Sequence, residues 1–157
     1  MIAKALSLWQ PWAHFIWIGA KLIETRSWPT RYRGPLLIHA AKKRPTREID
    51  QLCLTSPFFE TLGHNRPCEP GVYYPENWAW AWPTMQWGAI IARCNLVDCV
   101  PITADNVPGG NERHFGDYTP GRFAWNLADV VQIEPVPCVG RQGLFNVDFD
   151  ALRREAA

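Results

Sequence analysis

The hydrophobic pattern changes period several times along the chain, and each change marks an element. Residues 3–9 (Ala-Lys-Ala-Leu-Ser-Leu-Trp) alternate loosely, as a half-buried strand does. Pro11 then stands where a helix accepts proline best, at its first turn, and Trp12, Phe15, Ile16 and Gly19 recur at helical spacing. Gly19 can close that helix in the left-handed conformation. So short a helix must be held by packing, which makes its aromatic stripe core. The next stretch, Gly19 to Trp28, sets Lys21, Glu24, Arg26 and Trp28 close together. In a strand, residues of equal parity share a face. Leu22, Glu24, Arg26 and Trp28 are therefore expected to project together, with Ile23 and Thr25 opposite and Lys21 at the strand's mouth. Residues 36–41 (Leu-Leu-Ile-His-Ala-Ala) predict a buried strand with His39 as a hydrogen-bonded core histidine. Pro45-Thr46-Arg47-Glu48 opens a second helix, with Ile49, Leu52 and Cys53 at helical spacing.

Regularity lapses over residues 56–87, where five prolines forbid long elements while Trp78, Trp80, Trp82 and Trp87 argue against disorder. This predicts an ordered, irregular excursion packed on the body. Residues 87–102 supply the longest apolar run, a central strand whose Arg93, Asn95 and Asp98 predict a bend or bulge. A polar loop over 103–121 carries Glu112, Arg113, His114 and Asp117, and loops this long in compact domains are often functional. A pair of strands (122–127 and 130–133), a short strand at 144–147 and a terminal helix over 150–155 complete the chain. The sum is one α+β domain, a small, mostly antiparallel β-barrel flanked by short helices.

Composition narrows the class. The chain has 157 residues, 47% hydrophobic and 20% charged, which describes a soluble globular protein with a real core. The formal net charge is only +1, but residues 1–50 carry nine Lys/Arg against three Asp/Glu. That is either a local anion-attracting surface or scattered charge. Lys42-Lys43-Arg44 is likewise a solvated turn or a phosphate-facing lip. Five cysteines without a C-x-x-C, and no apolar leader or membrane-length segment, predict reduced thiols in a cytoplasmic protein without membrane attachment. The four histidines share no ligand spacing with the cysteines, so no metal or other cofactor is expected.

Ser7-Leu-Trp-Gln-Pro-Trp-Ala13, Gly19-x-Lys21-x-x-Glu24-x-Arg26-Ser27-Trp28, Arg33-Gly34 before a strand, Leu96-Val-Asp-Cys99 and Gly121-Arg-Phe-Ala-Trp125 together resemble the ASCH domain, a PUA-like family. The resemblance covers nearly the whole chain, least well residues 56–86. It implies a small barrel whose lysine, glutamate and arginine line a cleft between barrel and helices, and a role in binding RNA or single-stranded nucleic acid. Some similar proteins are enzymes: one branch hydrolyses N4-acetylcytidine with a lysine, a threonine and a glutamate, and others cut RNA. Lys21 matches that lysine, Glu24 stands where the branch has its threonine, and Glu112 is the counterpart of the distal glutamate.

The cleft so implied has parts for both tasks. The Lys21 ammonium suits phosphate binding or a developing oxyanion, and Arg26 can grip a phosphate or base edge with two donors. Trp12, Trp28 or Trp125 would stack a base, with core packing as the competing role. Ser7 and Gln10 line the cleft or cap the helix, while Arg33, Tyr118 and Arg122 complete the expected nucleic-acid surface. For hydrolysis, Lys21, Glu24 and Glu112 would be the catalytic groups, with either glutamate as general base. The leading expectation is binding of RNA, single-stranded nucleic acid or a modified nucleoside. A hydrolase and a protein-interaction module built on the Trp/Pro-rich segment are the alternatives.

Overall fold

A computed structural model of the chain describes residues 2–63 and 85–156. Six strands form one sheet: β1 (Ile2–Leu8), β2 (Ile23–Arg26), β3 (Gly34–Ala40), β4 (Ala89–Pro101), β5 (Phe123–Pro137) and β6 (Leu144–Asp148). Their order across the sheet is β2-β5-β4-β3-β1-β6. Every neighbouring pair is antiparallel except β1 and β3. Among the described residues the end strands β2 and β6 form no ladder with each other, so the expected barrel is an open sheet. Among the described residues four short helices accompany it: α1 (Trp12–Trp17), α2 (Arg47–Leu52), α3 (Phe58–Thr61) and α4 (Phe149–Ala156). A 3-10 helix (Gly110–Phe115) lies in the long polar loop.

Strand alternation buries both faces of the sheet. Leu6, Leu8, Leu36, Ile38, Ala40, Leu96 and Trp125 pack on one face against Ala13 and Ile16 of α1. Ala5, Leu37, Ile90, Val136, Phe145 and Val147 pack on the other, against Phe149 and Leu152 around α4. A third cluster joins Phe15 of α1 to Phe58 of α3 and Phe115 of the 3-10 helix. Their rings stand 4.6 to 5.5 Å apart at tilted or edge-on angles, as aromatic quadrupoles prefer. This satellite core pins the 110–115 segment beside α1.

Local signals explain most element ends. Gly19 closes α1 at φ +77°, the left-handed geometry that glycine adopts without penalty. Thr46 caps α2 by accepting from the Ile49 amide. β4 is one long strand, and its register against β3 and β5 shifts at several points, so the bulges expected from its polar residues are there. The pair of strands expected over 122–133 is instead the single 15-residue strand β5. Its break at Ala128-Asp129 is a bulge rather than a turn: Asp129 takes φ +53°, and its carboxylate accepts from Asn95 Nδ2 at 2.9 Å. Of the irregular excursion expected over 56–87, α3 belongs to its described part, while Trp78, Trp80 and Trp82 lie outside the described residues. No helix among the described residues is long and apolar enough to cross a membrane. The described cysteines are free thiols, and burial pushes those of Cys53 and Cys94 up to about 12.

Candidate functional site

The charged strand builds an ion-pair chain on the face that carries α1. Glu24 pairs in register with the core residue Trp125, which turns the carboxylate inward. Lys21 Nζ lies 3.4 Å from one carboxylate oxygen and Arg26 Nε 3.1 Å from the other. The Lys21 ammonium also donates to the Ile23 carbonyl, and Arg26 Nη2 donates to the Ser7 carbonyl at 3.1 Å. Glu24 is 8% exposed and Lys21 0%. Lys21 is therefore not at a solvated mouth: it is sealed behind Glu24, where a charge is tolerated only because it is paired.

The 103–121 loop closes over this chain, and Glu112 fastens it. Its two carboxylate oxygens accept from the amides of Leu22 and Ile23, at 2.8 and 3.1 Å, so Glu112 ties the loop to the start of β2. Because β2 is an edge strand, residues 116 and 117 can also reach Thr25. The Asp117 amide donates to Thr25 Oγ1 at 3.0 Å, and Arg122 reaches the Thr25 carbonyl. Thr119 donates twice to the Asp117 carboxylate, which these bonds and the nearby Arg122 hold below the usual carboxylate range. Gly116 passes so close that a Cβ there would stand 2.9 Å from the Tyr118 ring and 3.0 Å from Thr25 Cγ2. The Tyr118 hydroxyl is buried with no hydrogen-bond partner among the described residues. Burial first, then the charges of Glu112 and Glu24, raise its pKa and keep it a neutral donor.

Between α1, α2, β2 and this loop lies a cavity of about 340 Å³. It is lined by Trp12 and Leu52 together with Glu24, Thr25, His114, Phe115, Gly116 and Asp117. The structure thus brings Trp12 and Glu24 to one cavity, with Tyr118 packed behind Gly116. Gln10 is 1% exposed and caps α1, accepting from the His14 amide at 2.9 Å and donating to the Gln86 carbonyl. Trp125 has no exposed surface, and its indole donates to the Trp28 carbonyl while the two rings meet edge-on at 4.6 Å. Neither Gln10 nor Trp125 offers a ligand a free face, and Trp28 spends one edge on the core. Arg33 is exposed and bonded to Asp98 at 3.0 Å, next to β4 and not on the cavity wall. Ser7 gives Arg26 only its carbonyl, because its side chain lies on the opposite face of the sheet, bonded to His39. Thr25, Leu52, His114, Phe115, Gly116 and Asp117 were not among the expected site residues. Only the length and polarity of the 103–121 loop pointed toward four of them. Among the described residues no cluster of three or more His, Cys, Asp or Glu could hold a metal ion.

Comparison with known proteins agrees with this architecture. The family model described as "ASCH domain" matches residues 6–137. Activating signal cointegrator 1 of Mus musculus is 47% identical over 51 residues, and the Homo sapiens protein 45% over 51 residues. Those segments are 32% of this chain and 9% of each relative, so the chain spans a small fraction of the curated relatives it matches. Two crystal structures of ASCH from Zymomonas mobilis, one of them a point mutant, match 98% of this chain at TM-scores of 0.53 and 0.52. The match covers 92% and 95% of those chains, and at 16% identity it speaks to the fold alone. With the family model spanning most of its length, the chain belongs to the ASCH domain family.

Proposed function

We propose that the chain binds single-stranded nucleic acid, RNA foremost, by admitting one unstacked base into the cavity between Trp12 and Glu24. The observation that carries this reading is the Glu24 carboxylate, fixed from both sides by Lys21 and Arg26 and facing a cavity walled by an aromatic ring. A fixed carboxylate accepts from an amino group such as cytosine N4, and Trp12 gives the base a flat apolar surface. Glu24 and Asp117 on the wall disfavour a phosphate inside, so a neutral base is the better occupant. The unpartnered Tyr118 hydroxyl behind Gly116 is a donor that a ligand near the loop would satisfy. A modified nucleoside meets the same requirements. Activating signal cointegrator 1, the similar protein, carries cointegrator in its name, but this chain matches too little of it to inherit a role.

The test is fluorescence anisotropy of labelled single-stranded RNA with the intact chain and Trp12→Ala. Loss of one stacking contact predicts roughly tenfold weaker binding. Equal affinity for the variant, with its fold intact by circular dichroism, contradicts the reading. A hydrolase is the second reading, and it rests on Thr25, which lines the same cavity as Glu24 and carries a hydroxyl. Mass spectrometry of N4-acetylcytidine and single-stranded RNA incubated with the protein decides it, through a product absent when Thr25 is replaced by valine.

A further inference from the structure

Among the described residues, a cavity larger than the one beside Trp12 lies on the other face of the sheet, beside α4. It holds about 660 Å³, within the range of small-molecule sites, and is lined among others by Ser7, His39, Lys42, Lys43, Arg141 and Glu155. Parallel pairing of β1 and β3 places Ser7 opposite His39, and both side chains face away from α1. Lys42 and Lys43 follow β3, Arg141 lies in the β5–β6 connection, and Glu155 comes from α4.

The cations around this cavity are held but not neutralised. Lys43 Nζ rests 4.2 Å from the Trp9 ring centre, and the adjacent Arg44 guanidinium 4.3 Å from that of Trp87. The Lys42 stem lies against Gly88, where even an added Cβ would meet it at 3.6 Å. Yet among the described residues none of Lys42, Lys43 and Arg141 forms an ion pair. Three positive charges with one carboxylate on the wall leave a surplus suited to a dianion, and seating the basic run on two tryptophans lowers the ordering cost of binding.

The neutral wall narrows the ligand further. The Cys138 carbonyl can only accept, so His39 carries its proton on Nε2, 3.0 Å from that oxygen. His39 Nδ1 is then an acceptor, and the Ser7 hydroxyl donates to it at 2.8 Å. With its proton committed, Ser7 Oγ offers the cavity lone pairs alone. Gly140 leaves room for this arrangement, since a Cβ there would stand 2.9 Å from Ser7 Oγ. A phosphate dianion has no hydrogen for Ser7, so the ligand needs a hydroxyl next to its phosphate.

We propose that this cavity is a second ligand site, which takes the phosphate monoester of a nucleotide on Lys42, Lys43 and Arg141 and a sugar hydroxyl on Ser7. It goes beyond the base-binding reading and does not depend on it. The phosphate would come from a free mononucleotide or from the 5′ end of a strand. Calorimetric titration of the intact chain with AMP, adenosine and 2′,3′-dideoxy-AMP reads the site directly, alongside single-stranded RNA with and without a 5′-phosphate. AMP should bind at least tenfold more tightly than adenosine, and more tightly than its dideoxy analogue. The exposed double variant Lys43→Gln/Arg141→Gln should lose roughly tenfold per cation, the low end of what charge-assisted hydrogen bonds contribute. A preference for the phosphorylated strand supports a strand-end site, and AMP binding without that preference supports a free-nucleotide site. Equal binding of AMP and adenosine, no binding of AMP, or a double variant that binds AMP like the parent overturns the proposal.

Discussion

Replacing Lys21 by methionine is the sharpest stability test of the buried ion-pair chain. Methionine keeps most of the side chain's length and apolar packing, one heavy atom short, but removes the ammonium. At 3.4 Å the Lys21–Glu24 attraction is about 5 kcal/mol for an effective dielectric of about 20, before desolvation is subtracted. What the variant loses is set by the partner it strands. Breaking a buried pair from one side costs roughly 3–5 kcal/mol, because the remaining charge is left uncompensated. Glu24 still keeps Arg26 at 3.1 Å, and its carboxylate is 11% exposed, so the lower end of that range applies. We expect Lys21→Met to lose about 3 kcal/mol in urea unfolding, against typical domain stabilities of about 5–15 kcal/mol. Adding Glu24→Gln to Lys21→Met should restore part of that loss, since the stranded charge disappears. A Lys21→Met variant within about 0.5 kcal/mol of the parent, the scale of ordinary surface substitutions, would show that Lys21 is not a buried partner of Glu24.

Three further outcomes follow from the same geometry. Glu112→Ala removes the acceptor of two amides and should cost about 1.5–3 kcal/mol, with faster hydrogen exchange at Leu22 and Ile23; unchanged exchange there would mean that Glu112 does not fasten the loop. Gly116→Ala drives a methyl group against Tyr118 and Thr25 and should cost about 1–3 kcal/mol and weaken RNA binding, read by thermal unfolding and anisotropy; full stability and affinity would contradict the packing. Burial lowers the pKa of both His14 and His39 below 6.5, so between the folded and unfolded values the unfolded chain holds more protons. Their stabilisation is therefore complete above about pH 6.5 and lost as pH falls through the folded values, and His14→Gln/His39→Asn should flatten the melting temperature over that window. An unchanged slope in the double variant would assign the pH dependence to other groups.

Period and punctuation made much of the fold legible. The alternation of residues 3–9, Pro11 ahead of the Trp12-Phe15-Ile16 stripe and Gly19 after it locate β1 and α1 within a residue or two. Strand parity also put Glu24 and Arg26 on one face. The depth of Lys21 is not legible in the sequence, because burial depends on the tertiary fold: the 103–121 loop returns to the start of β2 through Glu112, and Phe115 packs on Phe15. The same distance hides His114, Gly116 and Asp117, which join Thr25 on the cavity wall only once the loop has folded back over an edge strand. The sequence pattern divides β5 because Ala128-Asp129 interrupts its apolar run, whereas the β4 partner Asn95 holds that step as a bulge. Ser7 is expected to line the cleft or cap α1, and the sequence alone does not say which face of the sheet its side chain takes. The parallel register with His39 decides that, and it requires β3 in place.

The central claim, a base held between Trp12 and Glu24, is tested most directly by titrating the isotopically labelled chain with short cytidine-containing single-stranded RNA and following amide chemical shifts. Saturable shifts concentrated at Trp12, Glu24, Thr25 and the 114–117 segment, together with the Trp12 indole, are expected. Saturable binding that leaves these signals in place and moves those of other surfaces would contradict it.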